Sequence, residues 1–162
     1  MTAKDVGKPA ILMPDEQRAV WFLGALIRIR AGADSTAGQL AVLEHEGERG
    51  YNSPLHRHDL DEETFLVLDG ELRVEIDGQA RAVGAGGVAF LPRRLPHAFV
   101  VTSPQARFLT LHTPAGFDRF AVEAGTPWST ASAPPDLPPD PAALAAMAGA
   151  YGIEIIGPPP TV

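Results

Sequence analysis

The stretch from Glu63 to Gly78 limits the possible fold most, because it contains two short β-prone runs that each end in a tight-turn signal. Residues 63–68 are mainly apolar, and residues 71–76 alternate strictly between charged and apolar side chains, as a half-buried strand does. The dipeptides Asp69-Gly70 and Asp77-Gly78 follow the two runs, and Asp-Gly favours the type I′ turn of a β-hairpin. The pattern predicts antiparallel β structure with a hairpin at each dipeptide.

The remaining sequence extends this pattern. Sixteen glycines and sixteen prolines, with the glycines mostly between apolar runs, are typical of many short strands joined by tight turns. A length of 162 residues favours one domain. A helix is predicted to begin at Pro141 with Asp140 as its N-cap. Further strands are predicted at residues 21–22, 26–30, 39–46, 88–91, 97–101, 107–112 and 152–156, and another short helix at 116–124.

Charge and composition exclude several classes of partner. The net charge is −7, and the basic residues are scattered, so we expect neither nucleic acid nor an anionic membrane as a partner. No apolar run approaches the roughly 20 residues of a membrane span, and no signal-peptide core follows Met1, which predicts a soluble cytoplasmic protein. Without cysteine, the chain has no disulfide and no thiolate metal site.

Four residues have the chemistry and spacing of metal ligands. His56 and His58 form an H-x-H pair, and residues i and i+2 of a strand project from the same face. Glu63 opens the next run, and His97 follows a turn with a proline at each end. Three imidazoles and one carboxylate suit one divalent transition metal: iron, manganese, nickel, copper or zinc. Such a set leaves positions for water or a small-molecule substrate, as catalytic sites do.

These residues resemble the two motifs of the cupin family. The first motif, G-x5-H-x-H-x(3,4)-E-x6-G, is matched by Gly50, His56, His58, Glu63 and Gly70. The second, G-x5-P-x-G-x2-H-x3-N, is matched by Gly86, Pro92 and His97, with Arg94 in place of its glycine and Val101 in place of its asparagine. Neither replaced residue is a metal ligand in the family, so the departures concern the local turn and the barrel packing.

The resemblance implies an all-β cupin, a double-stranded β-helix or jelly-roll barrel with one or two short C-terminal helices. It divides the chain into an N-terminal arm (1–18), the barrel (19–125) and a proline-rich C-terminal extension (126–162). The nearest branch consists of single-domain cupins like quercetin 2,3-dioxygenase. Membership there implies a metal-dependent dioxygenase that acts with O2 on a small enolisable or aromatic substrate, with Glu63 both holding the metal and accepting the substrate's hydroxyl proton. It also implies a homodimer.

Other reaction classes stay open, because cupins also include metal-dependent isomerases, lyases and non-catalytic small-molecule-binding proteins. Glu62 competes with Glu63 as a ligand, but only Glu63 also lies at the family's spacing from Gly70.

The residues expected around the metal are mainly aromatic. Phe65, Val67, Phe90 and Phe99 are expected to shield the metal. Trp21, Phe108 and Phe117 are candidates to stack on an aromatic substrate, although aromatic residues at strand spacing are usually part of the core. His112, in phase with Phe108 on the last strand, is a possible pocket residue, and His45 is expected to be exposed. The possible pocket-lining set is therefore His112, Phe65, Phe99 and Phe108.

Overall fold

The computed structural model of the chain describes residues 7–162, which contain twelve strands in two antiparallel sheets, two α-helices and a single 3-10 turn at Pro14–Glu16. The strands are β1 (Arg18–Phe22), β2 (Ala25–Ala31), β3 (Ala41–Glu48), β4 (Leu55–His58), β5 (Glu62–Asp69), β6 (Glu71–Ile76), β7 (Gln79–Gly84), β8 (Val88–Leu91), β9 (His97–Val101), β10 (Gln105–Thr113), β11 (Thr126–Pro127) and β12 (Ile153–Gly157). The helices are α1 (Phe117–Ala124) and α2 (Pro141–Gly149). Within the described range, no helix has both the length and the apolar character needed to span a membrane.

The two sheets divide the strands unequally. The seven-stranded sheet has the order β11-β1-β2-β3-β10-β5-β8, and the five-stranded sheet has the order β12-β4-β9-β6-β7. Two clusters of buried apolar side chains form the core, one beside α1 and α2 and one between β5, β6, β9 and β10. This architecture confirms the predicted all-β class with two short C-terminal helices.

The two Asp-Gly turns differ. At Asp77-Gly78 both residues have positive φ, 49° and 78°, and the turn joins the paired strands β6 and β7 as predicted. The hairpin prediction at Asp69-Gly70 is wrong, because β5 lies in the seven-stranded sheet and β6 in the five-stranded one. Gly70 is needed there for close approach, since a Cβ on it would lie 2.3 Å from the carbonyl oxygen of Gln105.

The prediction that Phe108, Thr110 and His112 share one face of the last strand is confirmed. The predictions that His45 is exposed and that Phe90 shields the metal are wrong. On β10, Phe108, Thr110 and His112 are all buried. His45 is also buried, because it lies on the same inward face of β3 as Ala41 and Leu43. Phe90 is 57% exposed on the edge strand β8, so it cannot shield a metal between the sheets.

The C-terminal segment adds elements to both sheets. Strand β11 pairs with β1, and β12 pairs with β4. The N-cap prediction for α2 is confirmed, since the Asp140 carboxylate accepts a hydrogen bond from the backbone N–H of Ala143. Residues 1–6 of the predicted N-terminal arm lie outside the described residues, and β1 already begins at Arg18. The domain boundaries at 18 and 125 stay a prediction.

Candidate metal centre

The four predicted metal ligands meet between the two sheets. Strand β4 carries His56 and His58, and its pairing with β9 places His56 directly opposite His97. Glu63 comes from β5 in the other sheet. Each side chain is buried and offers one ligand atom to a group in which all four atoms lie within 4.8 Å of one another.

The ligand atoms are the three Nε2 nitrogens and one carboxylate oxygen. Glu63 Oε2 lies 3.1 Å from His97 Nε2 and 3.5 Å from His58 Nε2. His56 Nε2 lies 3.1 Å from His58 Nε2. These separations bring four donors around one point, as a mononuclear metal site requires.

The other ring nitrogen of each ligand histidine is already hydrogen-bonded. An oxygen with no proton to give can only accept, so each Nδ1 carries a hydrogen, and in a neutral ring the lone pair is then on Nε2. The bonds run from His56 Nδ1 to the Pro54 carbonyl (2.7 Å), from His97 Nδ1 to the Leu95 carbonyl (3.0 Å) and from His58 Nδ1 to the Asp61 carboxylate (3.0 Å).

The positions of the hydrogens on these rings show whether the residues fit a metal. With hydrogen on both Nδ1 atoms, neutral His56 and His58 rings direct their Nε2 lone pairs at each other across 3.1 Å. Two buried lone pairs at this distance need a proton or a metal ion between or beside them, and a metal ion also takes the Glu63 carboxylate oxygen of the same group as a ligand. The donor set therefore fits a divalent metal of intermediate hardness.

The ionisation states agree with this fit. Burial, together with the neighbouring His97 and His58, lowers the pKa of His56 to about 3, so the ring is neutral. Burial alone would raise the pKa of Glu63, but His112, His97 and His58 together hold it well below its usual value. Burial likewise lowers the pKa of His97, and Glu63 outweighs that effect and raises it. The site presents neutral imidazole at His56 and an ionised carboxylate at Glu63.

The structure separates the two glutamates that competed as ligands. Glu62 lies on the other face of β5 and forms an ion pair with Arg93, with N–O distances of 2.6 and 2.7 Å. Only Glu63 reaches the histidines. Arg94, which replaces the family's glycine, has φ 70° and donates its backbone N–H to the His58 carbonyl over 2.7 Å, so the turn keeps the left-handed backbone that glycine favours.

Behind His58 lies Asp61, which the sequence reasoning missed. Its carboxylate accepts hydrogen bonds from His58 Nδ1 (3.0 Å) and from His112 Nδ1 (2.8 Å), and it is buried. Burial would raise the pKa of Asp61, but the bonds from His112 and His58 lower it. Asp61 therefore orients a metal-facing imidazole, as a carboxylate behind a ligating histidine does. It lies in the loop between β4 and β5, where no periodicity marks it.

From Asp61 a line of buried hydrogen bonds continues to Tyr51, and we call it the buried hydrogen-bond chain. It runs from His112 Nε2 to Thr110 Oγ1 (3.2 Å), from Thr110 Oγ1 to His45 Nε2 (3.0 Å) and from His45 Nδ1 to the Tyr51 hydroxyl (2.9 Å). Burial lowers the pKa of His45 to about 3, and burial, followed by Glu63, raises the pKa of Tyr51. Both groups are neutral near pH 7.

A small cavity adjoins the ligands. It has a volume of about 50 Å³, enough for only a few water molecules, and His56, Glu63, His45, Tyr51 and Phe99 are in its wall. Of the four residues expected to line the pocket, Phe99 borders this cavity and the others do not. Phe65 and Phe108 are buried in the apolar cluster behind Phe99, and His112 is stacked against Phe117, which takes its place at the cavity wall.

Comparison with known proteins accounts for this geometry. The family model of the cupin domain matches residues 43–112, the segment that contains all four candidate ligands. The matched part of the barrel is a cupin domain. Its fold matches the structure of KdgF from Halomonas sp. with a TM-score of 0.60 at 22% identity, over 68% of this chain and 99% of that one. It also matches the polyketide cyclase RemF from Streptomyces resistomycificus with a TM-score of 0.55 at 24% identity, over 65% of this chain and 80% of that one.

A curated relative gives the cupin a more specific likeness. Quercetin 2,3-dioxygenase of Bacillus subtilis (strain 168) is 27% identical over 127 residues, which cover 78% of this chain. The same match covers 38% of the relative, so the cupin described here corresponds to well under half of that protein. The predicted cupin resembling quercetinase is confirmed, and its reaction is a separate question.

Proposed function

We propose that this cupin binds one divalent transition metal through His56, His58, Glu63 and His97 and uses it as a dioxygenase on a small enolisable or aromatic substrate. The observation that carries the metal site is the pair of Nε2 lone pairs facing each other at 3.1 Å. The likeness to quercetin 2,3-dioxygenase supports the reaction class. A bound metal supplies Lewis acidity that polarises a substrate oxygen.

Glu63 is the residue that we propose for proton transfer. Its Oε2 faces His97 and His58, and its Oε1 has as its nearest basic partner His112 Nε2, at 3.6 Å. Glu63 borders the cavity, and its lowered pKa keeps it ionised, so it can accept a hydroxyl proton from an enolisable substrate. Loss of that proton makes the substrate electron-rich enough to react with O2. The apolar wall around Phe99 and Phe117 excludes competing water.

The metal is tested by elemental analysis of the tag-free protein and two matched variants. Glu63→Gln removes the ligand charge, and Glu62→Gln makes the same change one residue away on the outer face of β5. We expect about one equivalent of metal in the parent and in Glu62→Gln, and much less in Glu63→Gln. Equal metal content in the two variants would contradict the site, and no metal in the parent after reconstitution would favour a non-catalytic binding protein.

The reaction class is tested with the metal-loaded protein. Flavonols and other enolisable compounds are screened for O2 uptake, with the metal-free protein as the control. Uptake that depends on the metal supports the dioxygenase. Turnover of the same compounds in the absence of O2 would instead identify an isomerase or a lyase, which the fold equally permits.

We also propose a homodimer. The edge strand β8 exposes Val88 and Phe90, by 62% and 57%, and Ile11 in the N-terminal segment is 87% exposed. An exposed apolar edge strand favours pairing with another chain. Sedimentation equilibrium of the parent and of a Val88→Lys/Phe90→Lys variant tests this: we expect a dimer that the lysines dissociate.

A further inference from the structure

The hairpin between β1 and β2 has an unusual residue at its tip. The two turn residues, Leu23 and Gly24, both have positive φ, 50° and 85°, and they link the paired residues Phe22 and Ala25. Positive φ at both positions is the geometry of a type I′ turn, which favours asparagine, aspartate or glycine. Leucine has a Cβ that disfavours this backbone and no polar atom that offsets the cost. The side chain of Leu23 therefore has a use other than forming the turn.

Leu23 lies at the junction of two cavities. It borders the small cavity that contains His56 and Glu63 in its wall, and it also borders a larger open groove of about 610 Å³. The outer groove is apolar, with Trp21 on one side and the proline-rich segment around Leu137 on the other. The residues shared by both cavities are Phe22, Leu23, Asn52, Pro54, Leu144 and Ile155.

The volume of the inner cavity is too small for an organic substrate. About 50 Å³ beside the ligands admits a few water molecules, whereas pockets for small organic ligands measure roughly 300–1,000 Å³. Any organic substrate must therefore enlarge the inner cavity at its border with the groove. Leu23 is half-buried at a hairpin tip, and a Cβ built on its neighbour Gly24 would meet no atom within 4 Å, so open space adjoins the turn. Of the other shared residues, Phe22, Leu144 and Ile155 lie within β1, α2 and β12, and Asn52 and Pro54 lie in the loop before β4, where the backbone of Asn52 is paired with Val100.

We propose that Leu23 is the gate between the outer groove and the metal-site cavity. Leu23 selects flat, mainly apolar molecules. One ring of such a molecule passes Leu23 and reaches His56 and Glu63, and the rest of the molecule lies in the outer groove against Trp21. This proposal rests on the proposed function, because it takes the small cavity as the reaction site. Passage of any reagent to the ligand histidines through this junction is then limited by Leu23.

Chemical modification of metal-free protein tests the gate without a substrate. All five histidines of the chain are buried, so the histidine-directed reagent diethyl pyrocarbonate meets no exposed imidazole. His56, in the cavity wall, is the expected first target. Leu23→Asn puts a polar amide of similar size in place of the apolar side chain and suits a positive φ, so it removes the apolar seal between the groove and the cavity. We expect roughly tenfold faster modification of His56 with an undiminished melting temperature. Peptide mapping locates the modified residue.

Leu137→Asn is the matched control, because Leu137 borders the outer groove but not the inner cavity and is 81% exposed. It should react at the parent's rate. Equal rates in the parent and Leu23→Asn would overturn the gate, as would equal acceleration by Leu137→Asn. Acceleration with a melting temperature well below the parent's would assign the effect to general loosening and also overturn it. Protection of His56 by added Co²⁺ in the parent reports separately on the proposed metal site.

Discussion

The five buried histidines form two groups that differ in what their nitrogens face. His56, His58 and His97 each satisfy Nδ1 with an oxygen acceptor and leave Nε2 directed at other ligand atoms. In His45 and His112 both nitrogens have partners that complete a hydrogen-bond chain. The difference teaches that burial alone does not identify a ligand histidine. A ring nitrogen with no donor in reach marks a cation site, and a ring with two satisfied nitrogens marks a structural one.

The largest expected effect separates the groups directly. His56→Ala removes a ligand, and we expect metal affinity to fall more than about 100-fold, since even residues behind the ligands cost 10–100-fold. His45→Gln keeps an amide that can bond to Tyr51 and Thr110, and its metal affinity should be nearly unchanged. Calorimetric titration of both variants measures the contrast. Similar losses in the two would show that the division is wrong.

Asp61 joins the two groups, because its carboxylate accepts from both His58 and His112. In Asp61→Asn the negative charge is lost and an NH2 donor replaces one oxygen, so the two imidazoles must share one neutral acceptor oxygen. We expect metal affinity to fall roughly 10–100-fold. Asp59→Asn, two residues earlier and exposed, is the control and should bind like the parent. An Asp61→Asn protein with parental affinity would mean that His58 needs no support from behind.

Much of the metal-facing group follows from the sequence, whereas the second group does not. Strand periodicity fixes His56 and His58 on one face, and the proline-bounded turn fixes where β9 begins at His97. The contact between His45 and Thr110 joins residues 65 positions apart and depends on the pairing of β3 with β10. No local spacing encodes that pairing, so His45 was expected to be exposed.

The Asp-Gly turns show the same limit. The dipeptide specifies a local bend at both sites, and sheet topology decides whether the flanking strands pair, as they do around Gly78, or separate into two sheets, as they do around Gly70. Local sequence therefore predicts elements and turns well, and it predicts contacts between sheets only where a motif records them.

Acid sensitivity of the metal-free protein gives a smaller effect per pH unit, and His45 in the second group and His56 in the first both contribute to it. Folding lowers the pKa of His45 from 6.5 to about 3, so below pH 6.5 the unfolded chain binds a proton that the folded protein does not. Stability is therefore lost as pH falls from about 6.5 towards 3, by roughly 1.4 kcal/mol per pH unit for this one group. Urea unfolding of metal-free parent and His45→Gln measures it. The variant should show the shallower dependence, and parallel curves would contradict the buried neutral state of His45.

The smallest expected effect is at the far end of the buried hydrogen-bond chain. Tyr51→Phe deletes the hydroxyl and leaves His45 Nδ1 without its partner, which should lower the unfolding free energy by about 1 kcal/mol. Tyr151→Phe, whose hydroxyl bonds to Glu123 near the surface, is the matched control and should cost less, because water replaces the lost bond. In a His45→Ala background the Tyr51 effect should shrink, because the hydroxyl then has no imidazole partner to lose. All of these variants should bind metal as tightly as the parent. If Tyr51→Phe alone weakened metal binding, the buried hydrogen-bond chain would help to hold the metal. The two groups of histidines would then not be functionally distinct.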